Sequence, residues 1–344
     1  VKIVVVGGRG FLGRRAVSAL STSGAEVVVA GRSGPLVVDL ARPETFTALA
    51  GADVVVNASS SHAAPPDALV AHCLAEGLVL LEASSDRVVV ERLLDRHRGR
   101  EAKGALVLGA GIFTGVSNAL ARAAIESLPG ATSLELGVET SPFSGAGGGT
   151  VDLMADVLAM PTASVDGGAR VLGPSVAPGP SMPFYDGPRA TLHVPFAEPA
   201  MIHASTGVPS VRMFMAPRPA FLRLAFLAIP AFLSRTRLFV AFMRAYFSVL
   251  RRLVLRTVST RVGLVAVARR GDDVRSVALR VEDGFALAGV AIAATALALA
   301  ERSPRPTGTF VVDELVPLDA MLARARRLAP SLEVVVREGA EKTR

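Results

Sequence analysis

The sequence predicts an α/β chain in which a doubly wound parallel sheet is interrupted by an inserted α+β domain with a mixed or antiparallel sheet. Three observations predict it. Short runs of Val, Ile and Leu alternate with amphipathic segments as far as Leu108, the pattern of strands covered by helices on both faces. A glycine-rich turn follows the first run. Beyond Gly109 the pattern changes to longer loops and amphipathic strands divided by turns.

The elements follow in order. Lys2 to Val6 reads as a strand, Phe11 to Ser23 as a helix, Glu26 to Ala30 as a strand and Leu36 to Asp39 as a short one. A helix from Glu44 to Ala50 precedes the strand Asp53 to Asn57. A helix from Pro66 to Glu76, the strand Leu78 to Leu81, a helix from Val88 to His97 and the strand Ala105 to Leu108 complete a βαβ series. In the second part Ser133 to Thr140, Pro209 to Met215, Val262 to Arg269 and Val274 to Glu282 read as strands, the last two joined by a hairpin at Arg270-Gly271-Asp272-Asp273. Ser141 to Gly149 and Gly173 to Pro188 read as long loops. Gly284 to Ala300 carries no charge and is rich in alanine, which favours a buried helix covering the parallel sheet over a lipid span. Strands at Thr309 to Asp313 and Glu333 to Val336 close the chain. Residues 1–120, completed by 285–344, are thus expected as one domain, and 121–284 as the inserted one.

Composition narrows the class. Apolar residues make up 51% of the 344 and charged ones 19%, which excludes general disorder. The single cysteine, Cys73, excludes a disulfide framework, and no Cys or His cluster has metal spacing, so no metal is expected. Nothing before Val4 reads as a cleavable leader, so a cytoplasmic location is expected. The formal charge is +7, yet Pro199 to Gly271 holds many arginines and no Asp or Glu, leaving the remainder acidic. That basic charge sits among Phe and Leu rather than in a nucleic-acid motif, so no nucleic-acid partner is expected.

The first strand runs into Gly7-Gly8-Arg9-Gly10-Phe11-Leu12-Gly13. Gly8, Gly10 and Gly13 have Rossmann spacing: Gly8 for the tight turn, Gly10 for approach of a pyrophosphate to the backbone, Gly13 for packing of helix on strand. Phe11 and Leu12 open a helix whose free N–H groups attract an anion. An acid at the end of the second strand would bind a ribose 2′-hydroxyl. That strand ends instead Ala30-Gly31-Arg32-Ser33, and Arg32 with Ser33 suits a 2′-phosphate, so NADP(H) is the expected cofactor. An arginine capping a surface loop is the alternative for Arg32. Asn57, Ala58 and Ser59, ending the fourth strand, are expected to border the nicotinamide half.

Gly7-x-x-Gly10-x-x-Gly13 also fits extended short-chain dehydrogenases, but their catalytic Tyr-x-x-x-Lys is absent. The two tyrosines, Tyr185 and Tyr246, are followed four residues on by Arg189 and Leu250, and the lysines are Lys2, Lys103 and Lys342 alone.

Several segments together carry a resemblance: Gly7 to Gly13, Ala30 to Ser33, Ala52 to Ala58, Cys73 to Asp86, Gly109-Ala110-Gly111 leading to Gly115-Val116-Ser117-Asn118, Gly147 to Thr150, and Ser205 to Pro209. The chain resembles saccharopine dehydrogenase-like oxidoreductases, particularly the bacterial branch that includes trans-acting enoyl reductases. The resemblance implies a Rossmann domain, an inserted mixed-sheet substrate domain, NADP-dependent reduction or dehydrogenation, and a homodimer. Where the family has Tyr-x-Asp this chain reads Leu80-Leu81-Glu82, and Thr114 replaces a proline. The only interior lysine, Lys103, sits in a polar turn, which does not suit the Lys and His amine chemistry of lysine-pathway members.

Three side chains are candidates for chemistry. His62, in the loop after the fourth strand, is placed to donate a proton near neutral pH, the alternative being a histidine facing water. His203, beside the Ser205-Thr206-Gly207 turn, and Tyr185 are candidates for substrate contact in the second domain, the alternative being a structural role.

Within 217–256, Phe221, Leu222, Leu224, Phe226, Phe232, Phe239 and Phe242 are interleaved with Arg237, Arg244 and Arg251 at seven-residue spacing. This hydrophobic, basic helical arm suits either a membrane surface, or a lid over a greasy substrate or a subunit interface. Two functions remain open: an NADPH-dependent reductase of a hydrophobic C=C or C=N substrate, carrier-bound or lipid-like, in secondary metabolism; or a peripheral membrane or complex-assembly protein that binds NADP without turnover.

Overall fold

The computed structural model of the chain describes residues 1–60, 64–141, 160–174, 176–227, 241, 245, 249 and 259–342. The chain divides into two compact units, Val1–Ala119 with Phe285–Leu332, and Leu120–Gly284 with Glu333–Arg344.

The first unit runs β1 (Lys2–Val6), α1 (Phe11–Leu20), β2 (Glu26–Gly31), β3 (Leu36–Val37), β4 (Val54–Asn57), α2 (Asp67–Glu76), β5 (Val79–Glu82), α3 (Arg87–His97) and β6 (Ala105–Leu108), followed by the start of α4 (Ser117–Glu126). A late strand, Gly308–Val311, joins beyond β6, giving the spatial order Gly308–Val311, β6, β5, β4, β1, β2, β3, with every pair parallel. The chain leaves β1 first towards β2 and β3, then returns to β4, so the direction of winding reverses between β1 and β4. This is the Rossmann topology, and its switch point lies where the glycine turn sits. From Ile3 on in β1, and throughout β4, β5 and β6, the strands are buried on both faces, which is why no polar residue interrupts them there before their carboxyl ends.

Local signals fix the helices. Asp86 caps α3 by accepting from the Val88 and Val89 N–H groups at 2.9 and 3.3 Å. Gly77, at φ +75°, ends α2 in the left-handed conformation. The segment expected as a helix near Glu44 is a tight 3₁₀ stretch, Pro43–Leu49, that buries Phe46 and Leu49. The apolar run Gly284–Ala300 is a helix with Leu287, Ala291, Ile292 and Ala294 buried. It packs against α1, the Phe285 ring standing edge-on to Phe11 at 5.0 Å. Among the described residues no helix is long and apolar enough to cross a membrane.

The second unit holds β7 (Ser133–Thr140), β8 (Ala163–Asp166), β9 (Ala169–Leu172), β10 (Ala177–Phe184), β11 (Gly187–His193), β12 (Ser210–Pro217), β13 (Val262–Arg270) and β14 (Asp273–Val281). Its main path runs β10, β11, β12, β7, β13, β14 and then Val334–Lys342, with β8 pairing β12 and β9 pairing β8. The sheet is mixed because β12 runs parallel to β7, while β13 and β14 form the expected hairpin with Arg270 opposite Asp273. Met182, Phe184, Phe214 and Val265 form a core against one face.

Two expectations are corrected here. Gly173 to Pro188 is not a loop throughout, since β10 occupies half of it. Pro178, Pro180 and Pro183 lack the N–H that a central strand needs, and they are accommodated because β10 is the outermost strand on its side. The segment after Glu333 does not complete the first unit: Val334–Lys342 pairs antiparallel with β14, Val281 opposite Val334 and Asp273 opposite Lys342. An apolar strand start is compatible with either sheet, and the free edge of β14 decided the matter.

Candidate cofactor site

The glycine turn joins β1 to α1 through close backbone contacts. Gly7 takes φ +75°, so the tight bend belongs to Gly7 and not to Gly8 as the motif suggests. A Cβ on Gly8 would stand 3.0 Å from Val29 Cγ1 and from the Val5 carbonyl oxygen, so Gly8 serves the packing of β1, β2 and α1. Gly13 allows the closest approach: its Cβ would lie 2.2 Å from the Gly7 carbonyl oxygen. Gly10 caps α1 with no side-chain hydrogen bond, and the first helical bond runs from the Arg14 N–H to the Gly10 oxygen at 3.0 Å. The N–H groups of Phe11, Leu12 and Gly13 therefore have no acceptor four residues back. Such a bare helix start, with exposed Gly10 before it, fits the diphosphate of a dinucleotide.

At the end of β2, Arg32 and Ser33 are exposed. Arg9, from inside the glycine turn, reaches the same place: its Nη1 donates to the Ser33 carbonyl at 3.3 Å, and its guanidinium lies against Gly34. Sequence reasoning missed Arg9, although its position between Gly8 and Gly10 is the signal that would have found it. Asp39 lies farther along. A backbone hydrogen bond from Ala41 holds its carboxyl below the usual range, helped by Arg42 and Arg32.

The carboxyl ends of β4 and β5 carry a buried polar chain. Asn57 Nδ2 donates to Glu82 Oε2 at 2.7 Å, and the Ser84 N–H donates to Oε1 at 2.9 Å. Asn57 Oδ1 accepts from the Ser59 N–H at 3.2 Å and from Ser59 Oγ at 2.5 Å. Ser59 and Ala58 press on the glycine turn, where a Gly7 Cβ would stand 2.7 Å from Ser59 N and 2.9 Å from the Ala58 carbonyl carbon. Burial pushes the Glu82 carboxyl up to about 7, against the pull of Asn57 and Ser84. Nearby, Thr114 is fully buried at φ +60°, a conformation that costs a β-branched residue about 1–3 kcal/mol. Its hydroxyl donates to the Phe113 carbonyl at 2.6 Å. Asn118 Nδ2 is buried without a hydrogen-bond partner among the described residues. Glu82 was legible only as a departure from a family pattern; a lone acid ending an apolar strand is the signal.

The other candidates are placed as follows. His62, with residues 61–63, lies outside the described residues. His203 sits in the helix Glu198–Thr206, its Nδ1 donating to the Val208 carbonyl at 2.9 Å across the turn at Gly207. Tyr185 lies at the β10–β11 turn with the guanidiniums of Arg280 and Arg337 at 5.0 and 5.4 Å from its ring centre. Both belong to the second unit. Of the arm expected over 217–256, Pro217 ends β12 and Phe221–Leu227 is a helix with Leu222 and Phe226 buried and Phe221 and Leu224 exposed by 57% and 67%. Arg237, Arg244 and Arg251 lie outside the described residues. Cys73 is buried, its thiol pushed up to about 12, which suits packing rather than reaction. Among the described residues no group of His, Cys, Asp or Glu is placed to hold a metal ion.

No family model and no curated protein matches the chain. Among solved structures, a myo-inositol dehydrogenase from Corynebacterium glutamicum is 12% identical with a TM-score of 0.43, covering 98% of each chain. A myo-inositol dehydrogenase from Lactobacillus casei, in complex with NAD(H) and myo-inositol, is also 12% identical with a TM-score of 0.43, covering 99% of this chain and 98% of that one. Likeness at this level assigns neither a family nor a substrate.

Proposed function

We propose that the chain is an NADPH-dependent reductase of a hydrophobic C=C or C=N substrate, a saccharopine dehydrogenase-like oxidoreductase that does not form saccharopine. The observation that carries this reading is the hydrogen bond from Arg9 Nη1 to the Ser33 carbonyl, which sets a guanidinium beside the segment at the end of β2 that also carries the exposed Arg32 and, from Ala30 to Gly34, no acid to select an unphosphorylated ribose. Guanidiniums carried on this segment favour a phosphate dianion and its oxygens. The N–H groups of Phe11, Leu12 and Gly13 hold the diphosphate, and Asn57, Ala58 and Ser59 border the nicotinamide half. When bound, the dinucleotide supplies hydride. The chain's part is to hold the reacting half against the buried ends of β4 and β5 and to deliver a proton. His62, three residues beyond Ser59 in the sequence, is the donor in this reading. Tyr185 and His203 already serve local contacts in the second unit. Loss of NADPH absorbance on addition of enoyl thioesters or imines tests it, and a chain that binds NADPH but oxidises it with none of them is not this reductase.

One observation favours a second reading. Phe221 and Leu224 are exposed immediately before a stretch of the sequence rich in Phe and Arg, which suits a peripheral membrane or assembly protein that retains NADP without turnover. Co-sedimentation with anionic vesicles, abolished when Arg237, Arg244 and Arg251 are changed to Glu, would support it.

A further inference from the structure

The buried polar side chains Asn57, Glu82, Thr114 and Asn118 gather at or just beyond the carboxyl ends of β4, β5 and β6, and Glu82 is the only ionisable one of the four. It stands opposite Asn57 across the parallel pair and is 1% exposed. Its two oxygens accept from Asn57 and from the Ser84 N–H, and no cation pairs with it among the described residues. Through the Asn57 amide it is linked to Ser59, which lies on the glycine turn. On the flanking segments the titratable and charged groups are few. His62 follows β4 outside the described residues, and Asp86 and Arg87 follow β5. Asp86 is turned to the start of α3, and Arg87 lies 4.0 Å from Glu91. β6 contributes Leu108 beside Glu82, and no titratable group lies between Gly109 and Asn118.

Ligands of such a sheet sit outside the carboxyl ends of its strands, and a buried charge acts there through a medium that screens it little. The nicotinamide ring is cationic when oxidised and neutral when reduced. We propose that Glu82 is a positioning residue for the nicotinamide half, ionised when the oxidised cofactor is bound and protonated when the reduced one is, acting through Asn57 and Ser59. This rests on the cofactor reading above. The carboxyl lies near neutrality in the free chain, so the proton is exchanged with solvent in the physiological range. Below about pH 7 Glu82 must lose a proton to favour the cation; above it the carboxylate is already present.

The test is calorimetric titration of wild-type chain, E82Q and N57D with NADP⁺ and NADPH across pH. A 2′-phosphate also titrates near about pH 6, but it is common to both forms and cancels in the ratio of their dissociation constants. The ratio for NADP⁺ over NADPH is expected to rise about tenfold in wild type as pH falls from about 8 to about 6, one unit of coupling. E82Q should bind both forms with a ratio that does not move with pH. In N57D a second carboxyl beside Glu82 should shift the step to higher pH. A flat wild-type ratio, an unchanged slope in E82Q, or an unmoved step in N57D overturns the proposal and leaves the cofactor reading intact. Failure of the folded wild-type chain to bind either form overturns both.

Discussion

Arg9 Nη1 donates to the Ser33 carbonyl at 3.3 Å, so a guanidinium from within the glycine turn is fixed beside the segment that ends β2. In the proposed reading, the turn that takes the diphosphate thereby also shapes the place where the ribose end of the dinucleotide is read. Arg32 is exposed on the same segment.

Arg32→Ala should therefore weaken NADPH binding by about tenfold to a hundredfold, the range of one charge-assisted hydrogen bond, and leave NADH within about twofold. Arg9→Ala should do the same and also loosen the Ser33–Gly34 segment. Fluorescence titration with each dinucleotide checks both; equal losses for NADH and NADPH would show that these arginines read something other than the phosphate.

Gly13→Ala should be severely destabilising. Its Cβ would meet the Gly7 oxygen at 2.2 Å and Gly8 Cα at 2.8 Å, both backbone atoms that no rotamer change can move. A cost of about 3 kcal/mol is expected in urea denaturation. Gly24, at φ +79° with nothing within 4 Å of the Cβ that alanine would add, is the control, and Gly24→Ala should cost only about 1 kcal/mol.

How much of this was legible in the sequence differs between the two units. In the first, burial of both strand faces leaves unbroken apolar runs, so the series from Lys2 to Leu108 was legible and its strand bounds shifted by one residue at most, apart from β3, which ends two residues earlier. In the second, the prolines of β10 disguised a strand, because proline is excluded from sheet centres but not from edges, and edge position is a property of the assembled sheet. Val334–Lys342 was misplaced for a similar reason: its sequence says strand, and only the open edge of β14 says which sheet. At the site, the glycines and Arg32 were visible through their spacing. Arg9 and the Asn57–Glu82 pair were not, since each depends on a contact between segments 24 or 25 residues apart.

Glu82 should make stability depend on pH in a defined direction. Burial raises its carboxyl from 4.5 to about 7, so its contribution is fully present below 4.5 and is lost as pH rises through about 7. Glu82→Gln removes that loss. Relative to wild type, the variant should gain stability between about pH 4.5 and about pH 7, by up to about 3 kcal/mol, with no further change above. Urea midpoints measured across pH check the sign; a gain confined to acid pH contradicts it.

His203→Ala should cost about 1 kcal/mol of stability, the worth of its hydrogen bond to the Val208 carbonyl. NADPH affinity should be unchanged, and turnover per bound cofactor likewise if the histidine serves only the helix end. A large loss of turnover in a variant of near wild-type stability would instead place His203 in the chemistry.

The end of β2 is proposed to read a 2′-phosphate, and the direct measurement is the affinity of the wild-type chain for NADPH against NADH under one set of conditions. The two arginines predict NADPH to be at least about tenfold tighter, with the gap shrinking as salt is added. Equal affinities, or a preference for NADH, would contradict it.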